Sequence, residues 1–125
     1  MTNSITAYTM DDYRNKVKSD LLDYARESWE YDNDVTAETI MDDAWTADSV
    51  TGNGSGSYTF NTWESRQLIS DLIWDDELLD MFKEFGYDHV PMEKGAEHID
   101  VSIRCFLVGE FADDVQELLD ELNAQ

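Results

Sequence analysis

The fold depends on one stretch near the end of the chain, residues 96–122, which reads AEHIDVSIRCFLVGEFADDVQELLDEL. Apolar residues recur in it every three to four positions, which is the spacing of one helix face. The stripe consists of Ile99, Ile103, Leu107, Phe111, Val115, Leu118 and Leu122. It predicts one long helix, although Gly109 weakens that helix by about 1 kcal/mol. Residues 99–107 also alternate between apolar and polar, so a short strand followed by a shorter helix is the alternative.

Two more helices are predicted in the first third of the chain. Residues 13–29 carry an apolar stripe with helical spacing, and Thr9 with the acid three residues later forms an N-cap pair. The next stripe spans residues 37–45 and is capped by Asp34 or Thr36, since short polar side chains accept the first free N–H groups of a helix. Both helices are amphipathic, so they predict packing around a common core.

A Gly/Ser-rich segment separates these helices from the rest of the chain. Residues 48–59 read DSVTGNGSGSYT, which predicts a loop. A capping box then predicts a helix over residues 61–73. The following helix is predicted to start at Asp75 and Asp76, because negative charge is favourable at a helix N-terminus. Phe85 is expected on its core face, and the helix is expected to end near Gly86.

Composition is consistent with one folded domain over residues 1–125. The chain is 42% hydrophobic and 12% aromatic, which is sufficient for one core in spite of the high charge. We therefore expect a mainly α, single-domain helical bundle with a Gly/Ser-rich central loop. The alternative is an α+β domain with a short strand near residues 99–107.

Several features predict a cytoplasmic protein. No stretch approaches the length of an apolar membrane span, and the first residues lack the charged and apolar regions of a secretory signal. A single cysteine, Cys105, cannot form an intrachain disulfide, which suits a reducing compartment.

The chain is strongly and unevenly acidic. Its 29 Asp and Glu outnumber 8 Lys and Arg, giving a net charge of −21, which excludes direct binding of nucleic acid or anionic lipid through a basic patch. Residues 1–31 hold six acids and four bases, whereas residues 32–125 hold 23 acids and four bases. Like-charge pairs four residues apart, such as Asp113 and Glu117, each destabilise a helix by about 0.2–0.5 kcal/mol. Solubility or halophilic adaptation also explains such a surface.

The charge density is comparable with that of duplex DNA. Twenty-one charges correspond to about ten base pairs, or about 36 Å, and a compact domain of this length is about as wide. This density permits DNA mimicry by two groups of carboxylates. The middle acidic cluster consists of Asp71, Asp75, Asp76, Asp80 and Glu84. The terminal acidic cluster consists of Glu110, Asp113, Asp114, Glu117, Asp120 and Glu121.

Motifs for catalysis or metal binding are weak. Asp32, Asp34 and Thr36 match the start of an EF-hand loop, but Ala37 stands where Gly is required and Asp43 where Glu is required. The Gly-rich loop has no Lys that would bind phosphate, and the two His and the cysteine lack metal-ligand spacing. We therefore expect that the protein is not an enzyme and that it has no catalytic residue, no metal and no cofactor.

Two segments of the sequence resemble a known family of proteins. Residues 44–64 read AWTADSVTGNGSGSYTFNTWE, and residues 93–109 read EKGAEHIDVSIRCFLVG. Both are similar to small, acidic, uncharacterised proteins encoded by phages and mobile elements of gut bacteria. The resemblance spans residues 45–109 and implies a phage setting but no catalytic residues. Other small acidic phage proteins, such as anti-restriction and anti-CRISPR proteins, inhibit host nucleases by occupying DNA-binding surfaces. The resemblance implies, by analogy, that this chain belongs to the same functional class.

Two functions of different kinds follow. The first is a phage-encoded inhibitor, acting in the cytoplasm of the bacterial host, whose acidic clusters block the basic groove of a nucleic-acid-binding defence protein. A CRISPR effector nuclease or a restriction enzyme is the expected target. The alternative is a non-catalytic phage adaptor whose loop residues Val50, Tyr58 and Phe60 contact a partner, unless they pack on the core. The sequence does not decide which acidic cluster binds the partner. It also leaves the oligomeric state open, because the terminal apolar stripe can pack within a monomer or across a homodimer.

Overall fold

A computed structural model of the chain describes residues 9–54 and 69–125. The α-helices in these ranges are α1 (Met10–Tyr31), α2 (Ala37–Ala44), α3 (Asp76–Lys83), α4 (Ala96–Val108) and α5 (Ala112–Asn123). Single turns of 3₁₀-helix cover Met92–Lys94 and Gly109–Phe111. No strand occurs in the described ranges. The mainly α prediction is therefore confirmed, and the alternative strand near residues 99–107 is wrong.

Short polar side chains begin the first two helices, as their sequences predict. At α1, the backbone N of Asp12 donates to Thr9 Oγ1 at 3.2 Å, and the backbone N of Thr9 donates to Asp12 Oδ2 at 2.8 Å. At α2, Thr36 rather than Asp34 is the cap, because its Oγ1 accepts from the backbone N of Thr39 at 3.2 Å. These bonds satisfy N–H groups that have no partner inside the helix.

The end of α3 forms a Schellman motif around Gly86. The backbone N of Tyr87 donates to the carbonyl of Phe82 at 3.2 Å, and the backbone N of Gly86 donates to that of Lys83 at 3.0 Å. Gly86 has a φ of +91°, which favours glycine. The rings of Phe82 and Tyr87 meet edge to face, which supplies the apolar contact typical of this motif.

The position of Phe85 differs from the one predicted for it. It was expected on the core face, but α3 ends at Lys83 and Phe85 lies in the turn that follows, with 65% of its surface exposed. The predicted helix over residues 61–73 is also shorter at its end, since residues 71–74 form a turn. Its capping box lies outside the described residues.

The C-terminal stretch is helical but is not the single long helix that its stripe predicts. α4 ends at Val108, one 3₁₀ turn covers Gly109–Phe111, and α5 begins at Ala112. The interruption coincides with Gly109, whose low helix propensity weakens the α-helix there. Both halves nevertheless keep the stripe against the core. Its buried members are Ile99, Ile103, Leu107, Val115 and Leu122, and its partly buried members are Phe111 and Leu118.

Replacement of Gly109 by Ala is expected to stabilise the fold. Gly109 has a φ of −66°, and a Cβ added there meets no atom within 4 Å. Ala therefore restricts the unfolded chain without strain, which should raise the free energy of unfolding by about 0.4–1 kcal/mol in urea titrations. Gly95→Ala is the matched control, because a φ of +100° strains Ala and should lower stability. Equal effects of the two substitutions would contradict this explanation.

α1 is the central helix of the bundle. It packs against α2, α4 and α5, and α2 also packs against α5. The buried face of α1 consists of Met10, Tyr13, Val17, Leu21 and Ala25. α3 joins this core through Leu78 and Phe82, whose side chains are buried, and the Phe82 ring meets that of Phe106 on α4 at a centroid distance of 5.0 Å. The helices that carry both acidic clusters are thus held on one core.

Candidate functional site: an acidic surface

Arg14 of α1 connects the two acidic regions of the chain. Its Nη1 donates to Glu77 Oε1 at 3.1 Å, and its Nη2 donates to the other oxygen of the same carboxylate. Its Nε donates to Glu110 Oε1 at 2.8 Å, and Asp11 Oδ1 lies 3.3 Å from Nη1. Because Glu77 lies on α3 and Glu110 lies just before α5, one guanidinium holds the starts of these two helices together.

These contacts alter the acid–base properties of the groups involved. The bonds to Glu77 and then Glu110 raise the pKa of Arg14, so this side chain stays charged. The bond from Arg14 lowers the pKa of Glu77. The contact therefore stabilises the fold above the ordinary pKa of a glutamate, and this contribution is lost as the pH falls through the lowered value.

Sequence reasoning missed Glu77, which does not belong to the middle acidic cluster. The available signal was local: Asp75, Asp76 and Glu77 are three successive acids at a helix start, where negative charge opposes the positive end of the helix dipole. Its partner Arg14 is remote in sequence. Spacing along the chain could not reveal that contact.

The middle acidic cluster is only partly available for a partner. Asp75 Oδ1 accepts from the backbone N of Leu78 at 3.1 Å, so this carboxylate serves as the N-cap of α3. Asp80 lies 4.0 Å from Lys83 Nζ. Asp71, Asp76 and Glu84 are exposed. This cluster is therefore divided between a structural role and solvent-facing charge.

The terminal acidic cluster is divided differently, by the cations of α1. Arg14 binds Glu110, and Lys18 Nζ lies 3.5 Å from Asp114 Oδ1. The other four members are exposed, and no Lys or Arg within the described ranges lies at ion-pair distance from them. We call these four residues the open acidic face, which consists of Asp113, Glu117, Asp120 and Glu121. Their spacing of three and four residues places them along one side of α5.

α2 adds acidic residues that the two predicted clusters did not include. Glu38, Asp42 and Asp43 are all exposed on this short helix. Because α2 packs against α5, these carboxylates lie on a helix next to the one that carries the open acidic face. Their contribution follows from helix packing, which the sequence pattern does not specify.

A buried polar network lies in the core between α1 and α4. Asp100 is 0% exposed and Arg104 is 5% exposed. Asp100 Oδ1 accepts from Tyr13 Oη at 2.9 Å and from Arg104 Nε at 3.1 Å. Arg104 Nη1 also donates to the carbonyl of Val50 at 3.3 Å and to Asp20 Oδ2 at 3.4 Å. The network therefore connects α1, α4 and the start of the Gly/Ser-rich loop.

Sequence reasoning did not anticipate this burial. Asp100 and Arg104 share the buried side of α4 with Ile103, whereas the charged residues of an amphipathic helix usually face water. Partial burial raises the pKa of Asp20, although Lys16 and Arg104 oppose the shift. The buried charges are compensated by one another, which is the condition under which such groups are tolerated in a core.

The Gly/Ser-rich loop is described only in its first part, where residues 48–54 form turns and bends. Val50 is 0% exposed, so it packs on the core and is not a contact residue for a partner. Thr51 Oγ1 and Asn53 Nδ2 both donate to the carbonyl of Trp45, at 2.9 and 3.2 Å. Tyr58 and Phe60, the other two predicted contact residues, lie outside the described residues.

Other chemistry is limited in residues 9–54 and 69–125. No group of three or more His, Cys, Asp or Glu there is placed to hold a metal ion. Burial raises the pKa of the Cys105 thiol, which disfavours the reactive thiolate. None of the described helices combines the length and the apolar character needed to cross a membrane.

Comparison with known proteins gives no relative from which a function could be transferred. No protein-family model, no curated protein and no solved structure matches the chain. The charges and contacts of the molecule itself are therefore the basis for its function.

Proposed function

We propose that this protein is a phage-encoded inhibitor that occupies the basic nucleic-acid groove of a host defence protein, either a CRISPR effector nuclease or a restriction enzyme. The observation that carries the proposal is the open acidic face of α5. Its carboxylates are exposed and have no cation beside them in the described ranges. Lys residues at intervening positions would stabilise the helix, so folding alone does not favour this pattern.

The charge along α5 is similar to that of one DNA strand. Twelve residues span about 18 Å at ~1.5 Å per residue. One strand of B-DNA carries about five phosphates over that length, at ~3.4 Å each. α5 also carries five carboxylates, of which Asp114 has Lys18 beside it and the four of the open acidic face have no cation beside them in the described part of the chain. Lys and Arg side chains that bind phosphates also bind carboxylates through charge-assisted hydrogen bonds.

The rest of the bundle holds these carboxylates in a fixed arrangement. Val115, Leu119 and Leu122 bury the opposite side of α5, and Arg14 with Lys18 fixes the edge that faces α1. A surface ordered before binding loses less conformational freedom in the complex. The rigid support therefore favours inhibition by a preformed acidic surface.

The choice of a defence protein as target is supported by sequence resemblance. Residues 45–109 resemble small acidic phage proteins, and a phage gains directly from blocking host nucleases. No motif in the chain is specific to one nuclease, so the target is proposed by class.

Capture of a nuclease in a salt-dependent and DNA-competitive manner would test this function. The immobilised protein is exposed to purified CRISPR effector nucleases and restriction enzymes at low and high salt. We expect one of them to bind at low salt and to dissociate at high salt, because attraction between opposite charges is screened. Excess duplex DNA should compete for the same groove. Binding that neither salt nor duplex DNA reduces would contradict DNA mimicry.

A further inference from the structure

A second surface, of different chemistry, lies between α3 and α4. It is a cleft of about 800 Å³, a size typical of binding sites in proteins. Its aromatic lining consists of Trp45, Phe82, Phe85, Tyr87 and Phe106. Glu84, from the middle acidic cluster, also lines it. The cleft is therefore an aromatic surface with a carboxylate at its edge.

The aromatic side chains that line the cleft already pack against one another in the unbound protein. Phe106 meets Phe82 edge to face at 5.0 Å and stacks on Phe85 at 5.2 Å. Phe82 is buried, whereas Phe85 is 65% exposed and Trp45 is 50% exposed. Large apolar side chains exposed beside a concave surface mark sites of interaction. The exposed rings thus provide preformed contacts for an apolar group.

Charge indicates what kind of partner this cleft accepts. Lys94 Nζ lies 5.9 Å from the centre of the Tyr87 ring, so the chain's own cation already occupies that ring, and a partner's cation would lie at Glu84 instead. Glu84 adds negative charge on the lining. A second copy of this chain would bring another 21 net negative charges, and an anionic ligand would be repelled in the same way.

We propose that the cleft between α3 and α4 binds an amphipathic segment of a partner protein, with apolar side chains in the cleft and Lys or Arg beside Glu84. An aromatic pocket that holds one or two apolar anchors supplies much of the affinity of a helix-in-groove complex. This surface is distinct from the open acidic face, and the proposal holds whether or not that face binds a nuclease.

Three synthetic peptides provide the test with the full-length protein. The first is an amphipathic helical peptide with Leu and Phe on one face and Lys on the other. The second carries Glu in place of Lys, and the third keeps Lys but carries Ser in place of Leu and Phe. Affinity is measured by fluorescence anisotropy of labelled peptide, and the site by backbone-amide NMR shifts. We expect the first peptide to bind roughly tenfold or more tightly than the other two, because the second loses charge complementarity and the third loses its apolar anchors.

Two exposed-aromatic variants identify the cleft as the site. Phe85→Ser should weaken the first peptide roughly tenfold, and should leave the Ser-faced peptide unchanged. Tyr31→Ser is the matched control, because Tyr31 is 95% exposed and does not line the cleft; it should change neither affinity. Equal losses in both variants, or amide shifts confined to α5, would overturn the cleft proposal. Either result would leave the proposed inhibition through α5 untouched.

Discussion

Substitution of Arg104 by Met is expected to lower the free energy of unfolding by about 3–5 kcal/mol. Met retains most of the side-chain length but removes the charge, so Asp100 is left buried without its compensating cation. The carbonyl of Val50 also loses the donor that lies 3.3 Å away. Urea unfolding followed by circular dichroism measures the change. Asp100 is 0% exposed, so water cannot replace the lost partner without opening the core.

A second substitution separates the buried charge from the loss of packing. Asp100→Asn keeps an oxygen that accepts from Tyr13 Oη but removes the negative charge. In the Arg104→Met background it should therefore recover part of the lost stability, giving a coupling energy of about 0.5–3 kcal/mol. Arg26→Met is the matched control, since Arg26 is exposed on α1 and should change stability by less than about 0.5 kcal/mol. Similar losses for Arg104→Met and Arg26→Met would refute a structural role of the buried pair.

Neutralisation of the open acidic face is expected to change binding and stability in opposite directions. The variant Glu117→Gln, Asp120→Asn, Glu121→Gln removes three of its four charges. Its affinity for the target nuclease should fall by roughly a thousandfold or more, because each of the three lost charge pairs across the interface contributes about 1.5 kcal/mol or more. Its thermal stability should rise, since like-charge pairs such as Glu117 and Glu121 are removed. The last turn of α5 also loses negative charge that lies beside the negative end of the helix dipole, where it is unfavourable.

The control variant alters net charge equally at a different place. Asp23→Asn, Glu27→Gln, Glu30→Gln neutralises three exposed acids of α1, so both variants change the net charge by the same amount. We expect this control to retain nuclease binding within a fewfold. If both variants weakened binding to the same extent, net charge alone would govern association, and the assignment to α5 would be wrong.

Local signals in the sequence predicted the helix boundaries because their interactions act within a few residues. Thr9 caps α1, Asp75 caps α3 and Gly86 ends it, and each makes hydrogen bonds to its own neighbourhood. The break at Gly109 was harder to predict, because the apolar stripe continues on both sides of it. Phe85 was misplaced for a related reason: helical spacing was extended beyond the last residue that is helical.

Three properties could be read from the amino-acid sequence alone: the helical class, the absence of basic residues after Arg104 and the concentration of acids after residue 31. Which carboxylates of the terminal acidic cluster have cations beside them depends on how the helices pack. Arg14 and Lys18 lie on α1, far along the chain from Glu110 and Asp114, and they meet because α1 packs against α5. An ion pair depends on the distance between two charges in space. Side-chain periodicity reports the face of one helix and does not specify which helix covers it.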